Sequence, residues 1–245
     1  MDRRDFLLRP IHARPPRQQG KSVARPSAGL EPYVPSVEQP WDAVRVGHLL
    51  RRLTFLPRWS DIAALQGMSP SDAVDALFAA RSEPEDPSIA DNATESLQGL
   101  DVVYQNIVRG QWRRDFGSLQ DWYAGVMRDA GLSVDEKIVG FYSNHFATEF
   151  VVDLEFVQAP LLWRQNDLFR RSGLGNYRDM MTAITLNGAM LAYLGGNLNV
   201  VGRPNENYGR EMLELYTTGL GEYTEGDIQE AARILTGWKI ARYSD

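Results

Sequence analysis

The chemistry of this chain has few places to start. Histidine occurs three times, and His12 sits in a Pro/Arg-rich stretch. Of the other two, His48 and His145, the more suggestive is His145, in Asn144-His145-Phe146-Ala147-Thr148, a side chain of the type that titrates near neutrality. It has the chemistry of a general acid or base, or of a metal ligand. The plainer alternative is a helix-face histidine hydrogen-bonded in a core, and neighbouring Phe141, Tyr142 and Phe146 fit that alternative. No HExxH is present and no Glu stands three residues before His145, so zincin and ferritin-like di-iron spacings are missing. Glu149 follows one helical turn on.

A second constellation lies at Glu206, Arg210 and Glu214, spaced i, i+4, i+8 on one side of a helix beside Asn207 and Glu211. As a solvated ion-pair row it is worth about a few tenths of a kcal/mol per pair. Turned into a bundle cavity, its carboxylates would bind a cation or a sugar, and Arg210 would grip a carboxylate or sulfate bidentately. The candidate catalytic set is therefore His145, Glu206, Arg210, Glu211 and Glu214. Asn144, Asn205, Asn207 and Trp238 are candidate ligand-binding positions, although capping alone accounts for Asn205 and a core position for Trp238. These residues name no cofactor, and no metal ligand is assigned.

Several function classes find no support. There is no GxxxxGK[ST], and Gly219-Leu220-Gly221 lacks a third glycine and a preceding strand. No Gly-x-Ser-x-Gly is present. Cysteine is absent, which removes disulfides, thiolate sites and cysteine nucleophiles. No apolar run approaches the roughly 18 residues that span a bilayer. Residues 1–40 carry seven basic side chains against four acidic ones while the whole chain has a net charge of -6. The body is thus acidic, which argues against a nucleic-acid partner.

The elements that must position these residues read as helices. Residues 1–40 are rich in Pro, Arg, Gln and Ser and bury too little to offset their ordering entropy, so a disordered tail is expected. Its start, Arg3-Arg4-Asp5-Phe6-Leu7-Leu8, is similar to a twin-arginine export signal, but Arg9, Pro10, His12, Arg14 and Pro15 stand where an apolar h-region belongs. As written the chain stays cytoplasmic; a working degenerate signal would export it. From Trp41 to Asp245 helical periodicity dominates. Val44, Leu49, Leu50 and Leu53 mark a first helix, Ser60 and Ser69 read as N-caps, and Pro70 follows the second at the first helical position. Residues 82–95 read as a loop. Ser133 to Glu136 reads as a capping box, Asn176 as an N-cap, and one helix is expected from Asn205 to Thr218 with Gly219 as its stop. Thr224 with Asp227 opens a last helix ending near Gly237. Strand alternation is nearly absent. The expected fold is all-α, an irregular multi-helix bundle.

Several strings carry a resemblance. They are His48-Leu49-Leu50-Arg51-Arg52-Leu53-Thr54-Phe55; Asn144 to Thr148; Arg164-Gln165-Asn166; Leu174 to Asp179; Pro204 to Leu215; Tyr223 to Asp227; and Ala231 to Trp238. Together they resemble the family known as domain of unknown function 1800. Leu56 stands where that family has Gly, Asn187-Gly188 where it has Asp-Pro, and Gly195 where Asp is common. The resemblance implies no established activity, and it implies export for many members and a sulfatase-like partner protein. It also implies that members continue well past Thr236-Gly237-Trp238, so this chain is read as about the N-terminal half. Three readings follow. The first is a helical ligand-binding or accessory module working with a partner, with the cell envelope as one setting. The second is a metal-dependent enzyme joining His145 to the carboxylates of the Glu206–Glu214 helix. The third is an inactive truncated remnant.

Overall fold

The computed structural model describes residues 31–89, 97–150 and 158–240. The twin-arginine-like start and most of the expected tail lie outside the described residues; 31–40 are exposed and form no helix. The chain divides at Val34/Pro35, and every helix described belongs to the second unit.

The fold is all-α. Among the described residues the one β feature is an isolated bridge between Val200 and Arg203. The helices are α1 (Ala43–Leu53), α2 (Trp59–Gln66), α3 (Pro70–Ala79), α4 (Val102–Asp129), α5 (Asp135–His145), α6 (Ala159–Ser172), α7 (Tyr177–Thr185), α8 (Gly188–Tyr193), α9 (Asn207–Glu211) and α10 (Glu225–Ile234). A 3-10 turn covers Gly196–Leu198, and a π turn, Met212–Tyr216, continues α9.

Local chemistry sets most of the starts. Ser69 accepts from Asp72 N–H with Pro70 at the first helical position, and Asn176 accepts from Arg178 N–H. Thr224 and Asp227 form a reciprocal capping box. Two expected starts are corrected. Helix α2 begins at Trp59, because Asp61 reaches back to the Arg58 N–H at 2.7 Å, which places Ser60 inside the helix. Helix α5 begins at Asp135 without a Ser133–Glu136 box. Ser133 Oγ accepts from Asp135 N–H, while the Glu136 side chain is committed to Arg170.

Two of the family departures keep their structural role. Asn187 caps α8, accepting from Ala189 N–H at 3.0 Å, and Gly188 takes the first helical position, where Pro suits the backbone but its Cβ would need Leu161 Cδ2, 2.8 Å away, to shift. Leu56 follows Thr54, whose hydroxyl and N–H both close on Leu50 O, and it has φ +43°, the one positive φ among described non-glycine residues. A left-handed conformation costs an L-residue about 1–2 kcal/mol. Leu56 is 68% exposed, so little burial offsets that strain. Leu56→Gly is therefore expected to raise stability by about 0.5–1 kcal/mol, after the glycine's extra unfolded-state entropy is subtracted. Urea denaturation checks this, and a destabilised variant would contradict it.

The main core gathers α5 to α9 and the π turn: Val139, Phe146, Phe169, Met180, Met181, Ile184, Met190, Leu194, Tyr208 and Tyr216. A smaller core under α1–α3 holds Val46, Leu50, Leu65, Ala73 and Leu77, joined by Val134. Ile228, Ala231 and Ala232 of α10 are buried, and Gly209 sits against them; a Cβ there would meet Ala231 Cβ at 3.0 Å. The buried apolar face of this helix thus packs within the chain.

Candidate functional site

Helix α6 buries Leu161, Gln165 and Phe169 at i, i+4 and i+8, so Gln165 is an amide set in an apolar stripe. Helix α4 buries Val108, Trp112, Asp115 and Leu119 on one face, which continues to Tyr123 one turn on. These two faces meet the end of α5 around a cavity of about 240 Å³. Its lining is Phe116, Leu119, Gln120 and Tyr123 from α4, Ser143 and Thr148 from the α5 end, and Leu162, Gln165 and Asn166 from α6. The Asn144–Thr148 and Arg164–Asn166 strings therefore come together here.

Gln165 is 4% exposed. Its Oε1 accepts from Thr148 Oγ at 2.6 Å. Such a distance is usual for O–H···O, with the hydroxyl donating to the amide oxygen. Its Nε2 is buried with no hydrogen-bond partner, and so is the Tyr123 hydroxyl. Burial pushes the Tyr123 phenol up to about 12, and the nearby Glu136 charge adds to this. The Arg170 charge and the Asn166 amide oppose it without meeting hydrogen-bond geometry at the hydroxyl. Tyr123 is therefore protonated at any physiological pH and keeps an O–H to donate.

Behind the cavity lies a buried ion pair. Arg170 donates from Nε to Glu136 Oε1 at 2.7 Å and from Nη2 to Glu136 Oε2 at 2.9 Å. The same Nη2 holds Asn166 Oδ1 at 2.7 Å, which orients one cavity wall. Arg81 bridges Asp135 and the Arg170 carbonyl, tying α3's exit to α5 and α6.

His145 occupies a separate aromatic setting. Tyr177 O–H donates to the Tyr216 carbonyl at 2.6 Å, so at 3.1 Å His145 Nε2 must be the donor to the Tyr177 oxygen. The imidazole packs on Phe146, Tyr216 and Phe141 with centroids 4.7, 5.6 and 6.2 Å away. Burial, with Glu211's charge, raises the Tyr216 phenol to about 12.

The expected single helix from Asn205 to Thr218 is corrected. After Glu211 the backbone widens into the π turn, with Thr217 and Thr218 hydroxyls donating to the Met212 and Leu213 carbonyls. A continuous i, i+4, i+8 row needs a constant 3.6-residue period, so it ends at that widening. Arg210 turns to Glu225 as a bidentate pair at 3.0 and 2.9 Å, with Glu206 at 3.8 Å. Glu214 instead accepts from the Tyr223 hydroxyl at 3.2 Å. Glu211 is half-buried; desolvation raises its carboxyl above the usual value, and Glu214's charge adds to that. No hydrogen bond or ion pair joins His145 to Glu206, Arg210, Glu211 or Glu214. Tyr216 is what brings His145 against this segment.

Asn205 works within the loop, donating to Gly195 O at 2.8 Å and accepting from Asn207 N–H at 3.0 Å. Asn207 donates to Leu194 O at 3.2 Å, and Asn144 is exposed. Trp238, expected in the core, is 45% exposed, because Gly237 at φ +94° turns the chain off α10. Among the described residues no group of three His, Asp or Glu side chains is arranged to hold a metal ion, and no helix is long and apolar enough to cross a membrane. Motif spacing does not point to Gln165 or Tyr123. The one signal for them in the residues is a glutamine at the i+4 position between Leu161 and Phe169.

The structure is thus that of an all-α protein with an open cavity of mixed polar and apolar lining between three helices. The chain belongs to the family described as protein of unknown function DUF1800, whose family model matches residues 48–245. No curated protein and no solved structure matches it.

Proposed function

We propose that this chain is a helical small-ligand-binding module whose site is the cavity between α4, the end of α5 and α6. The observation that carries the reading is a pair of buried, unpartnered polar atoms, Gln165 Nε2 and Tyr123 Oη, on two residues that line one cavity. An unsatisfied buried donor costs about 1–3 kcal/mol, and a ligand that accepts from it recovers that cost. The family resemblance adds the biological setting: an accessory role beside a sulfatase-like partner protein at the cell envelope.

Ser143 is exposed at the cavity mouth, so Ser143→Trp should occlude the site at little cost in stability. Small polar fragments screened by protein NMR are expected to shift the Leu119 and Leu162 methyl signals of the wild type and not of Ser143→Trp. If no fragment perturbs those methyls, the reading is wrong.

A second reading, an enzyme using His145 as general acid or base, is supported by one observation. The Tyr177 bond fixes Nε2 as the donor, which leaves Nδ1 as the basic nitrogen of the neutral ring.

A further inference from the structure

We infer that the ligand of the α4–α5–α6 cavity is a small uncharged molecule with an apolar body and one hydrogen-bond-accepting oxygen of the carbonyl or amide type. This rests on the cavity being a ligand site, and four features of its wall specify the ligand.

The first is polarity. Thr148 occupies Gln165 Oε1, so the group of this lining residue with hydrogen-bonding capacity to spare is its N–H₂. Asn166 is likewise held by its oxygen, which Arg170 engages. With the protonated Tyr123 hydroxyl beside them, the buried polar groups of the wall are weighted towards donors, and their complement is an acceptor.

The second is charge. Among the described residues, none that lines the cavity is ionisable to a charge near neutrality: they are Phe116, Leu119, Gln120, Tyr123, Ser143, Thr148, Leu162, Gln165 and Asn166. The Arg170 guanidinium behind the wall is already committed to both oxygens of Glu136. A carboxylate or phosphate entering here would lose its hydration without gaining a counter-charge, and a cation would meet donors where it needs acceptors.

The third is the apolar part. Leu119 and Leu162 line the cavity with Phe116, whose ring is held by stacking on Phe150 at 4.3 Å and 6°. The fourth is size. About 240 Å³ lies just below the roughly 300–1,000 Å³ of drug-sized pockets, which suits a molecule of one ring or a short chain.

Four probes of matched shape separate the possibilities: acetanilide (neutral amide), benzoate (anion), benzylammonium (cation) and ethylbenzene (no acceptor). Each is titrated into the wild type, Gln165→Leu and Tyr123→Phe, with binding read from the Leu119 and Leu162 methyl signals. Acetanilide is expected to bind about tenfold or more tightly than the other three, the worth of one recovered hydrogen bond. Gln165→Leu should lose about tenfold for acetanilide and nothing for ethylbenzene. Tyr123→Phe removes only a hydroxyl; a several-fold loss for acetanilide there supports the same ligand class should Gln165→Leu fail to fold. Benzoate or benzylammonium binding as well as acetanilide would overturn the ligand class while leaving the site standing. Equal acetanilide binding by wild type and both variants would overturn it too. If none of the four probes moves those methyls, the ligand-site reading itself falls.

Discussion

Arg170→Met is expected to cost about 3–5 kcal/mol of folding stability, the largest effect of any single side-chain change proposed for this protein. Arg170 is 6% exposed and Glu136 0%. Met fills much of the volume of the arginine stem but leaves a carboxylate buried with no counter-charge. It also frees Asn166 Oδ1 and removes the guanidinium that lies 5.7 Å over the Trp122 ring. Removing both charges avoids that penalty, since a buried pair replaced by apolar side chains is often close to neutral. Arg170→Met/Glu136→Leu should therefore be more stable than Arg170→Met alone, and strongly non-additive with Glu136→Leu. Urea denaturation of the four proteins closes the cycle. Additive single effects would show that the two charges do not depend on each other. Because Arg170 also sets the Asn166 wall, Arg170→Met should weaken ligand binding in the cavity even at temperatures where it remains folded.

Gly173→Ala is expected to cost about 3 kcal/mol, at the upper end of overpacking effects. Gly173 follows α6 with ordinary right-handed backbone angles, φ -65° and ψ -25°, so conformational freedom is not what the position needs. What it needs is space. A Cβ there would overlap Ile138 Cγ2 and stand 2.5 Å from the Phe169 carbonyl and 3.2 Å from Tyr142 Cε2. The Phe169 carbonyl cannot withdraw, because it accepts the Gly173 N–H at 2.8 Å that closes the helix. Gly117→Ala is the contrasting change. Gly117 lies inside α4 with nothing within 4 Å of its Cβ direction, so alanine should stabilise by about 0.5–1 kcal/mol. Opposite signs in one denaturation experiment are expected. A Gly173→Ala protein as stable as the wild type would mean that α5 leaves room for a methyl group at the end of α6.

The helical class and several element starts were legible in the residues themselves, because they depend on groups three or four positions apart. Ser69-Pro70, Asn176 and Thr224 with Asp227 cap the helices they were expected to cap, and apolar spacing marked α1. Even the family departures are local: Asn187-Gly188 performs the cap that Asp-Pro would, and Leu56 adopts the left-handed turn that Gly would enter without strain. Helix α4 has a comparable start, where Asp101 accepts from the Val103 and Tyr104 N–H groups, but its interior runs against it. Its interior glycines, Gly110, Gly117 and Gly125, lower its propensity, and packing overrides that.

Tertiary structure decided everything concerning the site. Glu136 has the spacing of a capping residue, and only the approach of α6 shows that its carboxylate answers Arg170, 34 positions away. The Glu206–Arg210–Glu214 row holds on an ideal helix, but the π turn ends its period and Glu225 captures Arg210. The cavity needs Tyr123, Thr148 and Gln165, drawn from separate elements. Sequence spacing fixes which residues share a helix face, since that geometry repeats every few residues. Whether a polar group on that face finds a partner depends on what the rest of the chain brings to it, and in this protein the long-range packing of α4, α5 and α6 leaves Gln165 and Tyr123 with donors to offer.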